Sequence, residues 1–329
     1  MATLIPNALD FHDWLPIRTR LDAEGWRIDW ARFGTQPLAE PFFRDSTELA
    51  LRRPFNQVFR RDTAIDALLD WQQRSPGIAP TAFVFHASRC GSTLIARMLS
   101  RLPGYTVLSE PSPLDALLRA HYTTPPIAAD QPTLIRAMLS AYGQRRRGTE
   151  RALVVKLDAW NIFELPLLRQ CFPTTPWLFL YRDPLEIVVS QIRQPGMHLV
   201  PGLIGATPLA FPQDEVNAMS HPEFVARTIG RMLAAGLEQC RAHGGLAVNY
   251  DELPDGVTGR LASFFGLAES DLPIAQDGSR HNAKHPHQVF QSDRDSKHRD
   301  ASDEIRAAVD QWARGPYAEL EALRLARVL

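Results

Sequence analysis

The segment that most restricts the fold is Phe83-Val84-Phe85-His86-Ala87-Ser88-Arg89-Cys90-Gly91-Ser92-Thr93-Leu94. A short apolar run ends in a turn of small residues, and an amphipathic stretch follows. That order reads as strand, loop, helix. The pattern repeats downstream, where apolar runs at Ala82–His86, Tyr105–Leu108, Ala152–Lys156, Trp177–Tyr181 and Leu246–Tyr250 alternate with helical periodicity. Helices are expected at Ser92–Arg101, Pro113–His121, Thr133–Gln144, Ile162–Gln170, Pro184–Ile192, Pro222–His243, Thr258–Phe265 and Ala301–Arg314. Strands apolar on both faces and separated by helices predict an α/β fold, a three-layer α/β/α sandwich around a parallel sheet. Ligands of such sheets lie at the carboxyl ends of the strands. Function is therefore expected in the loops Ala87–Gly91, Ser109–Pro111, Leu157–Trp160, Arg182–Asp183 and Asp251–Glu252.

The first loop is nearly the phosphate loop G-x-x-x-x-G-K-[ST], with Ser92 where the lysine would stand. A helix start offers unpaired N–H groups and partial positive charge. Gly91 allows close approach of an anion, Ser92 and Thr93 add hydroxyls, and Arg89 adds a forked cation. The missing lysine argues against triphosphate–magnesium chemistry. A capped helix with a solvated Arg89 is the plainer reading. Glu110 follows a strand and is either a proton acceptor beside the anion site or an acid leading the next helix. Lys156 ends an apolar strand, so it needs an anionic ligand or Glu110 as partner unless it snorkels past the sheet edge. Asp158 is its mate or, more simply, the cap of the next helix. Pro184 suits a first helical position with Asp183 as N-cap, and Arg182 precedes them.

Composition excludes several classes. The 329 residues carry 36 basic and 37 acidic side chains, net charge −1, so no global attraction to nucleic acid exists. Three scattered cysteines, Cys90, Cys171 and Cys240, argue against a disulfide framework. No signal peptide and no apolar run of about 18 residues is found, so a cytoplasmic protein without a membrane span is expected. Residues 1–75 read as an accessory region, with a strand at Gly25–Trp30 and a helix at Thr63–Gln72. Residues 76–329 form the main domain. Arg145-Arg146-Arg147-Gly148 reads as a solvated loop. The His-rich tail, Arg280 to His287, then Lys297-His298-Arg299, is locally basic; a solvated loop is favoured over a metal site there.

Three of these segments carry a family resemblance. Ser88-Arg89-Cys90-Gly91-Ser92-Thr93-Leu94 resembles the 5′-phosphosulfate loop of the PAPS-dependent sulfotransferases. Tyr181-Arg182-Asp183-Pro184 through Ser190 is similar to their 3′-phosphate segment, an Arg and a Ser eight residues apart. Val248 to Leu253, then Leu261 to Leu267, resembles their strand-plus-helix ending. The likeness runs from about Thr81 to Leu267. Arg in the first loop and Glu110, 21 residues after Arg89, are closest to the protein-tyrosine branch, although membrane anchor and secretory cysteines are absent. The resemblance implies a P-loop-NTPase-like sulfotransferase fold, metal-independent transfer and PAPS as co-substrate. It implies Glu110 as base and Lys156 and Arg89 as the charge stabilisers. Arg89, Cys90, Gly91, Ser92 and Thr93 would hold the 5′ end, Arg182 and Ser190 the 3′-phosphate, with Arg280, Lys284 or Lys297 as a late basic contact. The acceptor would be a small molecule or peptide, met by loops at Arg119–Pro132 and Gln194–Glu215, and a homodimer is one further expectation. The competing readings are a P-loop kinase or NTPase, and a nucleotide-binding relative without turnover.

Overall fold

A computed structural model of the chain describes residues 10–280 and 294–326. Two sheets are present. The N-terminal one is antiparallel, in the order β1 (Trp14–Asp22), β2 (Gly25–Arg32), β3 (Arg61–Ala64). The central one has five parallel strands, β4 (Ala82–His86), β5 (Tyr105–Ser109), β6 (Ala152–Lys156), β7 (Trp177–Tyr181) and β8 (Leu246–Asn249), in spatial order β5-β6-β4-β7-β8.

The two-residue period of the strands explains the layering. Phe83, Phe85, Leu153, Val155, Phe179 and Tyr181 join one core. Their neighbours Ala82, Val84, Ala152, Val154, Leu178 and Leu180 join the other. Each face is covered by helices, so continuous apolar runs are what the sheet requires. The α/β/α sandwich expected from the sequence is therefore the observed fold, and the five expected central strands are all present. The helix expected at Thr258–Phe265 is broken into Asp255–Thr258 and Ala262–Phe265, with Gly259 ending the first piece.

The N-terminal sheet does not stand apart. Phe11, Trp14, Leu15, Ile28, Trp30 and Trp71 belong to the same apolar cluster as Phe83 and Phe179. The Tyr142 hydroxyl donates to Pro16 O at 2.8 Å. Two expectations are corrected here. Residues Arg61–Ala64 are a strand, and the helix runs from Asp66 to Arg74. Pairing of Ile28 with Thr63, together with a 2.9 Å bond from Trp30 Nε1 to the Thr63 hydroxyl, outweighs local helical periodicity. The Arg145–Gly148 segment is not simply solvated. Arg146 is buried and donates to the carbonyls of Gly34 (2.6 Å) and Gln36 (2.9 Å), which staples the N-terminal sheet to the main body. Arg147 pairs with the buried Glu150 at 3.0 Å.

Candidate active site

Four loops converge at the carboxyl edge of the central sheet. The loop after β4 carries the strongest local signature. Ser88 and Arg89 have φ of 65° and 48°, and Gly91 has φ of 90°. Left-handed backbone at non-glycine residues costs about 1–3 kcal/mol each, and survives where surrounding contacts impose it. Such a turn gathers successive N–H groups on its concave side, which is how anion nests are built. The helix Ser92–Ser100 starts directly behind it, with Ser92 and Thr93 buried in its first turn. Glycine is required at 91. A Cβ there would lie 2.8 Å from Cδ2 of Tyr250 and 3.0 Å from Cδ1 of Leu253.

Cys90 faces the other way. Its thiol contacts Leu180 O at 3.2 Å on β7 and is fully buried, and that burial pushes the thiol pKa up to about 12. It pins the loop to the sheet as a neutral thiol. Any role toward an anion is left to its backbone.

Glu110 is the third strained non-glycine residue, with φ of 53°. Its N–H donates to Lys156 O at 2.8 Å, continuing the β5–β6 ladder by one residue. The left-handed turn then directs the carboxylate back over the sheet edge. Oε1 meets the Lys156 ammonium in a close ion pair and lies 3.3 Å from His86 Nε2. Lys156 is 1% exposed, so the snorkelling alternative is excluded; its ammonium also lies 5.2 Å from the centroid of the Phe42 ring. Glu110 does not lead the next helix, because Pro111 occupies the cap position of Ser112–Leu118 and no side chain caps it. Burial raises the Glu110 pKa, but the Lys156 charge and His86 outweigh it and hold the carboxyl below the usual carboxylate range.

His86 is fixed by the same loop. Ser88 N–H donates to His86 Nδ1 at 3.1 Å, which leaves the ring proton of a neutral imidazole on Nε2, facing Glu110. Burial lowers the His86 pKa, the nearby Lys156 charge works in the same direction, and Glu110 opposes. The Nε2 atom is buried and makes no well-directed hydrogen bond.

Asp158 starts the 3-10 turn Ala159–Glu164, and its N–H donates to Asn161 Oδ1 at 3.1 Å, as expected of a cap residue. Its carboxyl is buried near Glu110 and Asp115, and its pKa is raised well above the ordinary value, by burial first and by those two acids next.

Arg182 leaves β7 beside this group. It is buried, its Nε donates to Glu186 Oε2 at 2.5 Å, and its guanidinium lies 4.0 Å from the centroid of the Tyr250 ring. Tyr250 in turn covers Gly91. Arg182 and the first loop therefore share one aromatic neighbour, on one edge of the sheet. Asp183 caps Pro184–Arg193 by accepting from Leu185 N–H at 2.8 Å. Ser190 lies half-buried on that helix, eight residues beyond Arg182; the residue seen to hold Arg182 is Glu186, one turn in.

The tail reaches the same place. The helix Arg294–Asp300 brings Arg294 to Glu186 Oε1 (2.9 Å) and Asp251 Oδ2 (3.0 Å), and Lys297 is buried on it. Arg280 is exposed and pairs with Asp277 at 3.2 Å. Lys284 and the histidines at 281, 285 and 287 lie outside the described residues.

Glu110, Lys156 and Arg89 are thus at the ends of β5, β6 and β4, adjacent strands. Glu186, Tyr250, Arg294 and Phe42 were not legible as parts of the site. Phe42 comes from a region with weak periodicity, and Glu186 reads in sequence as an ordinary first-turn acid. Among the described residues no three His, Cys, Asp or Glu side chains are grouped to hold a metal, and no described helix is long and apolar enough to cross a membrane.

No protein-family model and no curated protein matches this chain. Solved structures do. A sulfotransferase from Alicyclobacillus acidocaldarius aligns with a TM-score of 0.43 at 16% identity, covering 75% of this chain and 96% of that one. The sulfotransferase domain from the curacin biosynthetic pathway gives 0.44 at 14%, covering 71% and 98%. A mouse sulfotransferase complexed with PAP gives 0.38 at 15%, covering 78% and 88%.

Proposed function

We propose that this chain transfers a sulfuryl group from PAPS to an acceptor hydroxyl or amine. The observation that carries the reading is the cluster of Glu110, Lys156 and His86 beside a left-handed loop opened by Ser88, Arg89 and Gly91. An acid, a buried ammonium and an anion nest on neighbouring strand ends are what in-line transfer of a charged group needs.

The residues fit the nucleotide. The nest and the start of the Ser92–Ser100 helix suit its 5′-phosphosulfate, with Arg89, Ser92 and Thr93 as side-chain donors. Arg182, with Ser190 and the basic helix bearing Arg294 and Lys297, suits the 3′-phosphate. PAPS supplies the sulfuryl group, so that a new S–O or S–N bond forms to the acceptor, the S–O bond to the 5′-phosphate breaks, and PAP departs. Glu110 takes the acceptor proton. It is ionised at neutral pH, so it is competent to accept, and positioning provides most of its effect. Lys156 answers the charge that develops on the leaving oxygen, in a site where water is scarce and a fixed cation is worth more than in solution. When the Lys156 ammonium moves toward the nucleotide, its hold on the Glu110 carboxylate relaxes and Glu110 becomes the stronger base.

A thermal-shift comparison tests the nucleotide choice. Adenosine 3′,5′-bisphosphate is expected to raise the melting temperature more than ATP with magnesium. A larger shift with ATP–magnesium overturns the reading in favour of an NTPase.

A further inference from the structure

One buried imidazole lies beside this site and is not used by the transfer just described. His198 is 8% exposed, and its Nε2 is buried with no hydrogen-bond partner. It sits on the segment after Pro184–Arg193; two bonds tie this helix and segment to the phosphate loop, and a third ties the segment to the helix. Arg89 Nη2 donates to Gln194 O at 2.6 Å. The fully buried Gln191 donates to the Ser88 hydroxyl at 2.7 Å and accepts from Gly196 N–H at 2.9 Å.

Gly196 is a requirement of this arrangement. A Cβ at 196 would lie 2.8 Å from His198 Cε1 and 3.0 Å from Nδ1, so only glycine lets the ring fold back over its own segment. The ring centroid also lies 5.7 Å from that of Trp160, whose Nε1 is anchored on Asp115 at 2.7 Å. Trp160 belongs to the loop after β6, two residues beyond Asp158. His198 is therefore held near the loop that carries Arg89 and the loop that follows Lys156. Burial brings its pKa down to about 4, the neighbours His86 and Arg89 work in the same direction, and Glu110 opposes. The ring is neutral at physiological pH, and a buried polar atom without a partner calls for a ligand.

We propose that His198 Nε2–H donates a hydrogen bond to the oxygen of the acceptor, opposite Glu110, and that this selects hydroxyl acceptors over amines. The inference rests on the sulfuryl-transfer reading. A hydroxyl oxygen has two lone pairs, one to attack sulfur and one to accept from His198, while its proton goes to Glu110. A neutral amine has one lone pair, which must attack, so a donor at this place competes with the reaction.

Phenol and aniline, matched in shape, are the probes. Binding of PAP to the wild-type protein is measured first by calorimetry. In the PAP complex of ¹⁵N-histidine-labelled protein, phenol is expected to shift the His198 Nε2 resonance and aniline to leave it in place. With PAPS, His198→Phe is expected to lower kcat/KM for phenol at least tenfold while PAP affinity stays within twofold of wild type, and His198→Gln, which restores an N–H, to recover much of the loss. An unmoved His198 resonance, a His198→Phe variant that turns over phenol like wild type, or a parallel loss of PAP affinity overturns the proposal alone. A wild-type protein that binds no PAP overturns the sulfuryl-transfer reading as well.

Discussion

The molecule contains two dense charge networks, and burial separates them. At the carboxyl edge of the central sheet, Lys156 is 1% exposed and meets Glu110, and Arg182 and Glu186 are both buried. On the outer face of the N-terminal sheet, Arg20, Arg27, Asp22, Asp29 and Asp62 cross-link β1, β2 and β3 with contacts of 2.5–3.8 Å, and every one of these side chains keeps more than a fifth of its surface exposed. The number of ion pairs does not rank the two networks. The first has the greater consequence, because water screens the outer charges and offers an alternative partner to any that loses its mate.

The largest expected effect follows from removing a buried partner. Glu110→Gln and Lys156→Met should each lower sulfuryl transfer by about 10²–10⁴-fold, the range for a positioned acid–base or charge-stabilising group. PAP should still bind Glu110→Gln, as read by calorimetry. Retention of full turnover by either variant would remove the roles assigned to both.

The stability of the same pair should depend on pH in a definite direction. The Glu110 carboxyl is held below its unfolded value of about 4.3, so its contribution is complete above that pH and fades as pH falls through the folded value. Glu110→Gln leaves the Lys156 ammonium buried without its partner, a loss of about 3–5 kcal/mol at pH 7. The gap in urea midpoint between wild type and variant should narrow on acidification from pH 6 to pH 3. A constant gap would mean that the pair is not ionised as described.

Two glycines sharpen the contrast. Gly91 and Gly25 both have positive φ, at 90° and 114°. A Cβ at Gly25, in the β1–β2 turn, meets nothing within 4 Å, whereas one at Gly91 collides with Tyr250. Gly25→Ala should cost about 1–2 kcal/mol from backbone strain alone. Gly91→Ala should cost more and also weaken PAP binding, because Tyr250 must move from between the loop and Arg182. Equal melting temperatures for the two variants would show that the loop tolerates a shift of Tyr250.

The same contrast explains what could be read in advance. The central sheet was legible because both faces of each strand are buried, which writes an unbroken apolar run into the sequence. Glu110, Lys156 and Arg182 were legible because each stands at or just past a strand end, where a charged residue interrupts that run, and Arg89 because it lies in a small-residue loop between a strand and a helix. Of the N-terminal sheet only β2 was, as the alternating run Gly25–Trp30. β1 reads Trp-Leu-Pro-Ile-Arg-Thr-Arg-Leu-Asp, with Pro16 and only partial alternation, and its register is set by β2 and by the core it shares with Tyr142. The partners Glu186, Tyr250 and Arg294 come from three separate elements that meet only in space. Their local sequence assigns none of them a partner.

The smallest expected effect is on the outer network. Arg20 bonds Asp22 at 2.5 Å and Asp62 at 2.8 Å, which looks as strong on paper as any contact in the active site. Its pKa is raised, first by the bond to Asp22, against the cost of desolvation and with help from the charges of Asp62 and Asp29, so it stays charged at every working pH. Water nevertheless reaches the whole group, and Asp62 keeps Arg27 as a second partner at 3.0 Å. Arg20→Ala should therefore leave the urea midpoint within the scatter of replicate measurements, and leave PAP affinity and turnover unchanged. A clear loss of stability would mean that the three outer strands are held together by their charges as much as by Ile28, Trp30 and Leu15 beneath them.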